Sequence, residues 1–271
     1  MSKVPTKVAS RITSNFNQMK KVIQTAIERD INEADTVLIV SDILSNIFGY
    51  DKYKEITREF AIRNTYVDLA IQIDDEPELL IEVKAVGIKL NEKHIKQAVD
   101  YGAGRGVDWV ILTNAQVWQI YKLKFEKPIG AELIFDFDFV AMNVRKQMDL
   151  EKLFILCKEG LQKNAILDFS NYKHVVNKYF IGAILQDESV ISLVCRQLNR
   201  MLPKSTTSQE EVLGIVQNAV LKREVVESDA AAAAISNFKR LQKRTRAKKS
   251  LGKTAVGSDD LKKQELDEPP V

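Results

Sequence analysis

Cysteine is scarce in this 271-residue chain, which has only Cys157 and Cys195. Both lie in apolar, helical-looking segments without CxxC spacing. That excludes a disulfide framework or a thiolate zinc site and reads both as buried small hydrophobes. Histidine is limited to His94 and His174, and a lone helical histidine is more often a surface residue than a phosphate contact. No apolar run is long enough to span a bilayer, and Met1 to Arg11 lacks the apolar segment of a secretion signal. A cytoplasmic protein is therefore expected. No internal repeat is evident. The net charge of +3 is too small to argue for nucleic acid by itself, because a phosphate-binding surface shows as a local basic cluster. What is plentiful is apolar content, 45% of residues, enough for one well-buried domain and a second, smaller unit.

The apolar spacing divides the chain. Ile12, Phe16, Met19, Ile23 and Ile27 recur at helical intervals between Val8 and Ile31, which predicts an N-terminal helical arm over residues 1–30. A second helix is predicted from Ala34 to Ile47, with Gly49 as its C-terminal punctuation. The period then shortens to strand-like runs at Glu55 to Ile62, Tyr66 to Ile73, Leu79 to Val86, Trp109 to Thr113 and Val117 to Leu123, with a helix from Glu92 to Tyr101 among them. These place an α/β core over residues 31–148. Helices follow at Leu150 to Leu161, Asn171 to Ile184, Ser189 to Met201 and Ser208 to Leu221, the last opened by the capping-box spacing Ser208…Glu211. They define a helical region over 149–246. Residues 247–271 read as a disordered tail.

Two connections follow from turn chemistry. Asp74-Asp75-Glu76-Pro77 predicts an antiparallel hairpin between the second and third strands, and Thr113-Asn114-Ala115 predicts another tight turn, with Ala115 poorly suited to positive φ. In the third strand, Leu79 to Val86, Glu82 and Lys84 stand two apart and share a face. A turn centred near Asp75 places Asp68 directly across from Glu82, with Cβ atoms about 4.5–5.5 Å apart. Two carboxylates so placed raise each other's pKa unless a cation lies between them. Mg²⁺, with Mn²⁺ as the substitute, is a cation of that kind. Lys84 then stands where it orients a water or stabilises phosphate charge. A salt-bridge cluster among Asp68, Glu82 and Lys84 explains the same residues structurally. Gln97 and Tyr101, one turn apart, share a helix face with His94. Glu33 is either a further metal carboxylate or a charge that complements a helix N-terminus.

The runs Asn32-Glu33-Ala34-Asp35-Thr36, Phe48-Gly49-Tyr50-Asp51, Tyr66-Val67-Asp68, Ile81-Glu82-Val83-Lys84, Gln97…Tyr101 and Ile111-Leu112-Thr113-Asn114…Trp118…Tyr121 together resemble the N-terminal nuclease domain of type I restriction enzyme restriction subunits. The resemblance covers about residues 30 to 125. It implies a PD-(D/E)xK restriction-endonuclease-like core, a mixed central sheet flanked by helices; the C-terminal helical region read from apolar spacing lies beyond it. It implies that Asp68 and Glu82 are metal ligands, that Lys84 is the catalytic lysine, that Glu33 is the helix carboxylate, and that Gln97 and Tyr101 form a supporting Q-x-x-x-Y motif. Val67 stands where the superfamily pattern has Pro, and Ala115 where the Leu-Thr-Asn-Gly turn has Gly. No P-loop or other helicase signature is present, so the expectation is a stand-alone Mg²⁺-dependent deoxyribonuclease with no nucleotide cofactor and no membrane association. Free-standing relatives of this kind point toward phage defence.

Phe16, Met19, Trp109, Trp118 and Tyr121 are read as core and not as base-stacking platforms. Lys239, Arg240, Lys243 and Arg244 open a basic run that can hold DNA phosphates or be a solvated helix end. The sequence leaves open self-association and two competing functions. One is a catalytically silent nuclease fold that binds nucleic acid or protein; the other is an RNA-cutting toxin.

Overall fold

The computed structural model describes residues 3–62, 65–202 and 205–256; side chains at 61, 62, 65, 92, 97, 101 and 245–256 are outside that description. The chain forms two compact units, Met1–Asn171 and Tyr172–Val271. Among the described residues no helix is long and apolar enough to cross a membrane.

The first unit is mixed α/β. Six strands lie in sequence order: β1 (Ile56–Ile62), β2 (Thr65–Ile73), β3 (Glu76–Val83), β4 (Trp109–Thr113), β5 (Val117–Lys124) and β6 (Gly130–Asp138). All neighbours are antiparallel except β3 and β4, which run parallel and are joined by helix α3 (Glu92–Arg105). A parallel pair requires such a crossover, whereas the antiparallel neighbours need only short turns. β6 was not expected, although Phe135 to Asp138 alternates between apolar and acidic residues; Phe135 and Phe137 are both buried.

Alternation sends successive strand residues to opposite layers. Leu80, Val110 and Leu112 pack with Ile95, Ala98 and Val99 of α3, while Leu79, Ile81 and Ile111 join the larger core on the other face. That larger core includes helix α1 (Thr6–Glu28) through Val8, Ile12, Phe16, Met19 and Ile23, and helix α2 (Glu33–Asn46) through Val37, Val40, Ile43 and Leu44. The apolar face of the N-terminal helix is thus packed into the core of the first unit. The stretch read as one helix from Leu150 breaks into α4 (Gln147–Ile155) and α5 (Lys158–Leu161), and with α6 (Ala165–Val175) it adds Leu153, Phe154, Leu161, Ile166 and Phe169 to the same core. The division between units therefore falls at Asn171, because these apolar side chains are buried with the sheet. Trp109, Trp118 and Tyr121 are also buried, in line with their reading as core.

The C-cap of α2 is Ile47, and Gly49 donates its amide back to the Ser45 carbonyl of that helix at 3.1 Å, in line with its reading as C-terminal punctuation. Gly49 takes φ 83°, and a Cβ there would lie 2.4 Å from the Arg11 guanidinium carbon. Both the backbone conformation and the space demand glycine.

The second unit contains α7 (Lys178–Leu185), α8 (Glu188–Met201), α9 (Gln209–Ile215), a π-helical turn at Val216–Val220, α10 (Arg223–Glu227) and α11 (Asp229–Val256). Asn177 interrupts the helix expected over Asn171 to Ile184, since its side chain caps α7 by accepting from the Tyr179 and Phe180 amides. Ser208 caps α9 through the Glu211 amide at 3.1 Å, as its spacing predicts. Ile191, Cys195 and Val212 form a small core, and Phe180 meets Phe238 edge-on. Cys157 and Cys195 are both buried and unbridged. Helix α11 runs through Val256, into the stretch expected to be tail; residues 257–271 lie outside the described residues.

Candidate active site at the end of strand β3

The β2–β3 hairpin closes through Asp74 and Asp75, both at positive φ (53° and 65°), between the paired residues Ile73 and Glu76. Positive φ at both central positions matches the twist of two-residue hairpins, and Asp tolerates it better than most side chains. A register shift between Ile71 and Gln72 follows, after which the rungs are Ile71↔Leu79, Ala70↔Leu80 and Leu69↔Ile81. Asp68↔Glu82 is the next position in that register, but the backbone ladder stops one rung short. Asp68 instead turns its carboxylate to the chain, where Oδ2 accepts the Val83 amide at 2.7 Å.

Glu82 is 3% exposed. One oxygen, Oε1, accepts from the Lys84 ammonium at 2.7 Å, and the other, Oε2, is buried with no hydrogen-bond partner. Lys84 follows the last residue of β3, and its amide donates to the Thr113 carbonyl at 2.8 Å, so β4 holds its backbone. Its ammonium also lies 3.5 Å from Glu33, the first residue of α2. Asn32 fixes that helix start by accepting the Asp35 amide at 2.9 Å. The structure thus brings together Glu33, Asp68, Glu82 and Lys84, three carboxylates around one ammonium.

Burial raises the Glu82 pKa to about 7, outweighing the Lys84 hydrogen bond that opposes it, and the Asp68 charge adds to the rise. Burial also raises Asp68, against the pull of the Val83 amide and Lys84. For Lys84 burial acts downward, yet Glu82, Glu33 and Asp68 outweigh it and hold its pKa above the usual lysine value. Each group feels the others. Among the described residues, no three acidic, histidine or cysteine side chains converge closely enough to enclose a metal ion. Any divalent ion here would have to be one that keeps water in most of its coordination shell.

A cleft of about 310 Å³ is lined by Glu33, Ala34, Val37, Arg58, Glu59 and Asp68. Glu59 has φ 49°, and the β1–β2 rungs pass from Arg58↔Leu69 to Phe60↔Val67 without pairing it. A larger cleft of about 620 Å³ between α1 and α2 is mostly apolar and contains none of Asp68, Glu82 or Lys84.

Asn114 is a structural anchor that reading it as a turn residue missed. Its side-chain amide donates to the carbonyls of Val86 (3.2 Å) and Ile88 (2.9 Å), and its oxygen accepts the Val117 amide at 2.7 Å. The residue is 5% exposed and so ties the segment after Lys84 to the β4–β5 turn. Ala115 does adopt positive φ, 68°, within that turn.

Gln97 and Tyr101 lie on α3, and their side chains are outside the described residues. His94 is half-buried where a surface position was expected, with a buried Nδ1 that has no hydrogen-bond partner. Lys239, Arg240, Lys243 and Arg244 are exposed on α11, in the second unit.

Residues 39–135 match the family model described as type I restriction enzyme R protein N terminus. This stretch is similar to that domain, a similarity that suggests a nuclease-related function. The match begins inside α2, ends in β6, and takes in Asp68, Glu82 and Lys84 but not Glu33. Neither the curated proteins nor the solved structures contain a match to the chain.

Proposed function

We propose that the chain is a Mg²⁺-dependent deoxyribonuclease with a PD-(D/E)xK core, in which Asp68 and Glu82 hold the cation and Glu33, set at the Lys84 ammonium, adds the charge of a further carboxylate from outside that pair. The observation that carries this reading is Glu82 Oε2, a buried carboxylate oxygen without a partner beside a second carboxylate. A buried unpaired oxygen is costly and calls for an explanation. Three carboxylates against one ammonium leave two formal negative charges for a divalent cation to neutralise. Mg²⁺ fits this donor set because it uses one or two protein carboxylates and keeps its waters. Mn²⁺ serves the same donors.

When bound, the cation supplies Lewis-acid neutralisation of phosphate charge and lowers the pKa of a coordinated water. The chain's own residues do the remainder. Lys84, held by Glu82 and by the Thr113 carbonyl, presents an ammonium that orients water and stabilises charge developing on the phosphate. Asn114 keeps the following backbone in place. Gln97 and Tyr101 are assigned a supporting role by resemblance alone, as is a place in phage defence. Lys239, Arg240, Lys243 and Arg244 supply phosphate contacts from α11.

The 2.7 Å contact between Lys84 and Glu82 favours a second reading, a structural ion pair in a silent nuclease-like fold. Purified protein incubated with plasmid, linear duplex, single-stranded DNA and RNA, with Mg²⁺, Mn²⁺ or EDTA, separates the two. The nuclease reading expects metal-dependent cutting of DNA and a loss on the order of 10²–10⁴-fold in Lys84→Ala, with DNA binding kept. Neutralising the four α11 cations should flatten the salt dependence of binding without removing cleavage. Undiminished cutting by Lys84→Ala would sink the assignment, and cleavage confined to RNA would move the substrate to that class.

A further inference from the structure

The geometry points to Arg58 as the group that grips the phosphodiester backbone next to the scissile bond, a substrate contact that rests on the nuclease reading of the same site. Arg58 lines the cleft with Glu33, Glu59 and Asp68. It is exposed, and although three carboxylates share that cleft, no hydrogen bond or ion pair among the described residues holds it. The other cation of the site is committed, since Lys84 contacts Glu82 at 2.7 Å and Glu33 at 3.5 Å.

A polyanion approaching Glu33, Glu59 and Asp68 meets repulsion at each. A cation bound between Asp68 and Glu82 offsets part of it at the reacting phosphate, but flanking phosphates need a cation of their own. Arg58 is the side chain on the cleft wall with that charge to offer, and its planar fork matches two non-bridging phosphate oxygens. Its location follows from local backbone geometry. Arg58 pairs with Leu69, the residue after Asp68, and the unpaired, positive-φ Glu59 opens the strand edge beside it. Charged residues inside the apolar run Ile56 to Ile62 are the sequence trace of this arrangement.

The test uses the full chain and a short labelled DNA duplex, with Ca²⁺ replacing Mg²⁺ so that binding is read without turnover, followed by steady-state cleavage in Mg²⁺. Arg58→Gln should weaken binding ~10-fold, the loss expected of one charge-assisted contact, and reduce the slope of log affinity against log salt by ~0.9, one phosphate. KM should rise with kcat near the parent's, because the contact is made before and during the reaction alike. Arg58→Lys should restore the salt slope but only part of the affinity, since the fork is lost. It also decides the matter if Arg58→Gln melts early. Lys7→Gln, which removes an exposed charge at the start of α1, should change neither quantity. Parent-like affinity and slope in Arg58→Gln, or an equal loss in Lys7→Gln, overturns the Arg58 assignment while leaving the nuclease reading intact. A parent that neither binds nor cuts nucleic acid overturns both.

Discussion

Two clusters of charge in the first unit have opposite electrostatic character. In one, Arg11 of α1 makes a bidentate pair with Glu159 of α5, both contacts at 2.7 Å, and gives two further hydrogens to the carbonyls of Ile47 and Phe48 at 3.1 Å. The guanidinium holds the Glu159 carboxyl below its ordinary pKa, and the pair raises Arg11 in return. In the other, at the end of β3, Lys84 faces three carboxylates, Glu82 and Asp68 are both raised, and one oxygen of Glu82 has no partner. A cluster whose purpose is to join elements satisfies both oxygens of its carboxylate and lowers its acid. The β3 cluster does neither. Strained electrostatics of this kind, beside a cluster that pairs its carboxylate fully, are what functional sites show.

Substitution can break this contrast. Arg11→Ala should cost about 3 kcal/mol by leaving Glu159 and two carbonyls unmatched, seen as a melting temperature about 6–12 °C lower and insensitive to divalent ions. Asp68→Asn in EDTA should hold or raise the melting temperature, since it relieves repulsion; Mg²⁺ or Mn²⁺ should stabilise the parent and leave this variant nearly unaffected. A large, metal-independent loss in Asp68→Asn would make the two clusters alike and remove the case for a site.

The pH dependence should be next in size. Glu82 is raised from 4.5 to about 7, so its folded form binds a proton that the unfolded chain has released. Its contribution to stability is therefore full below pH 4.5 and is lost as the pH rises through about 7, on the order of 2 kcal/mol in metal-free protein. Glu82→Gln should flatten metal-free melts across that window. An unchanged profile would mean that Glu82 is an ordinary paired carboxylate. Metal affinity in the parent should rise across the same window as Glu82 ionises.

Smallest is Asn32→Ala. Removing the cap of α2 should cost about 1 kcal/mol, with slightly weaker metal affinity because Glu33 sits in the first turn it orders. A metal affinity identical to the parent's would take Glu33 out of the metal set and leave it as a helix-end charge.

The elements that position this site were legible because their causes are local. Apolar spacing marked α1, α2 and the strands, and Asp74-Asp75 set a register that carries Asp68 toward Glu82. What escaped depends on contacts distant in sequence. Nothing near Asn114 announces that its amide is used 26 and 28 residues away. Likewise, the burial of Leu153, Phe154 and Phe169 with the sheet cannot be read from a helical period, which says which face is apolar but not what covers it. β6 was missed for another reason: its first half, Gly130 to Leu133, alternates poorly and only its second half has buried aromatics.

The strand order has a consequence for the growing chain. β1–β2–β3 and β4–β5–β6 are each sequential antiparallel meanders, joined only where β3 lies parallel to β4. A nascent chain that has emerged as far as Lys84 already contains Glu33, Asp68 and Glu82, but not the Thr113 carbonyl that holds the Lys84 amide or the Asn114 side chain that pins the backbone beyond it. The seam between the meanders has to wait for α3 and the β4–β5 turn, so the acidic cluster acquires its frame only after the chain has been synthesised past Asn114.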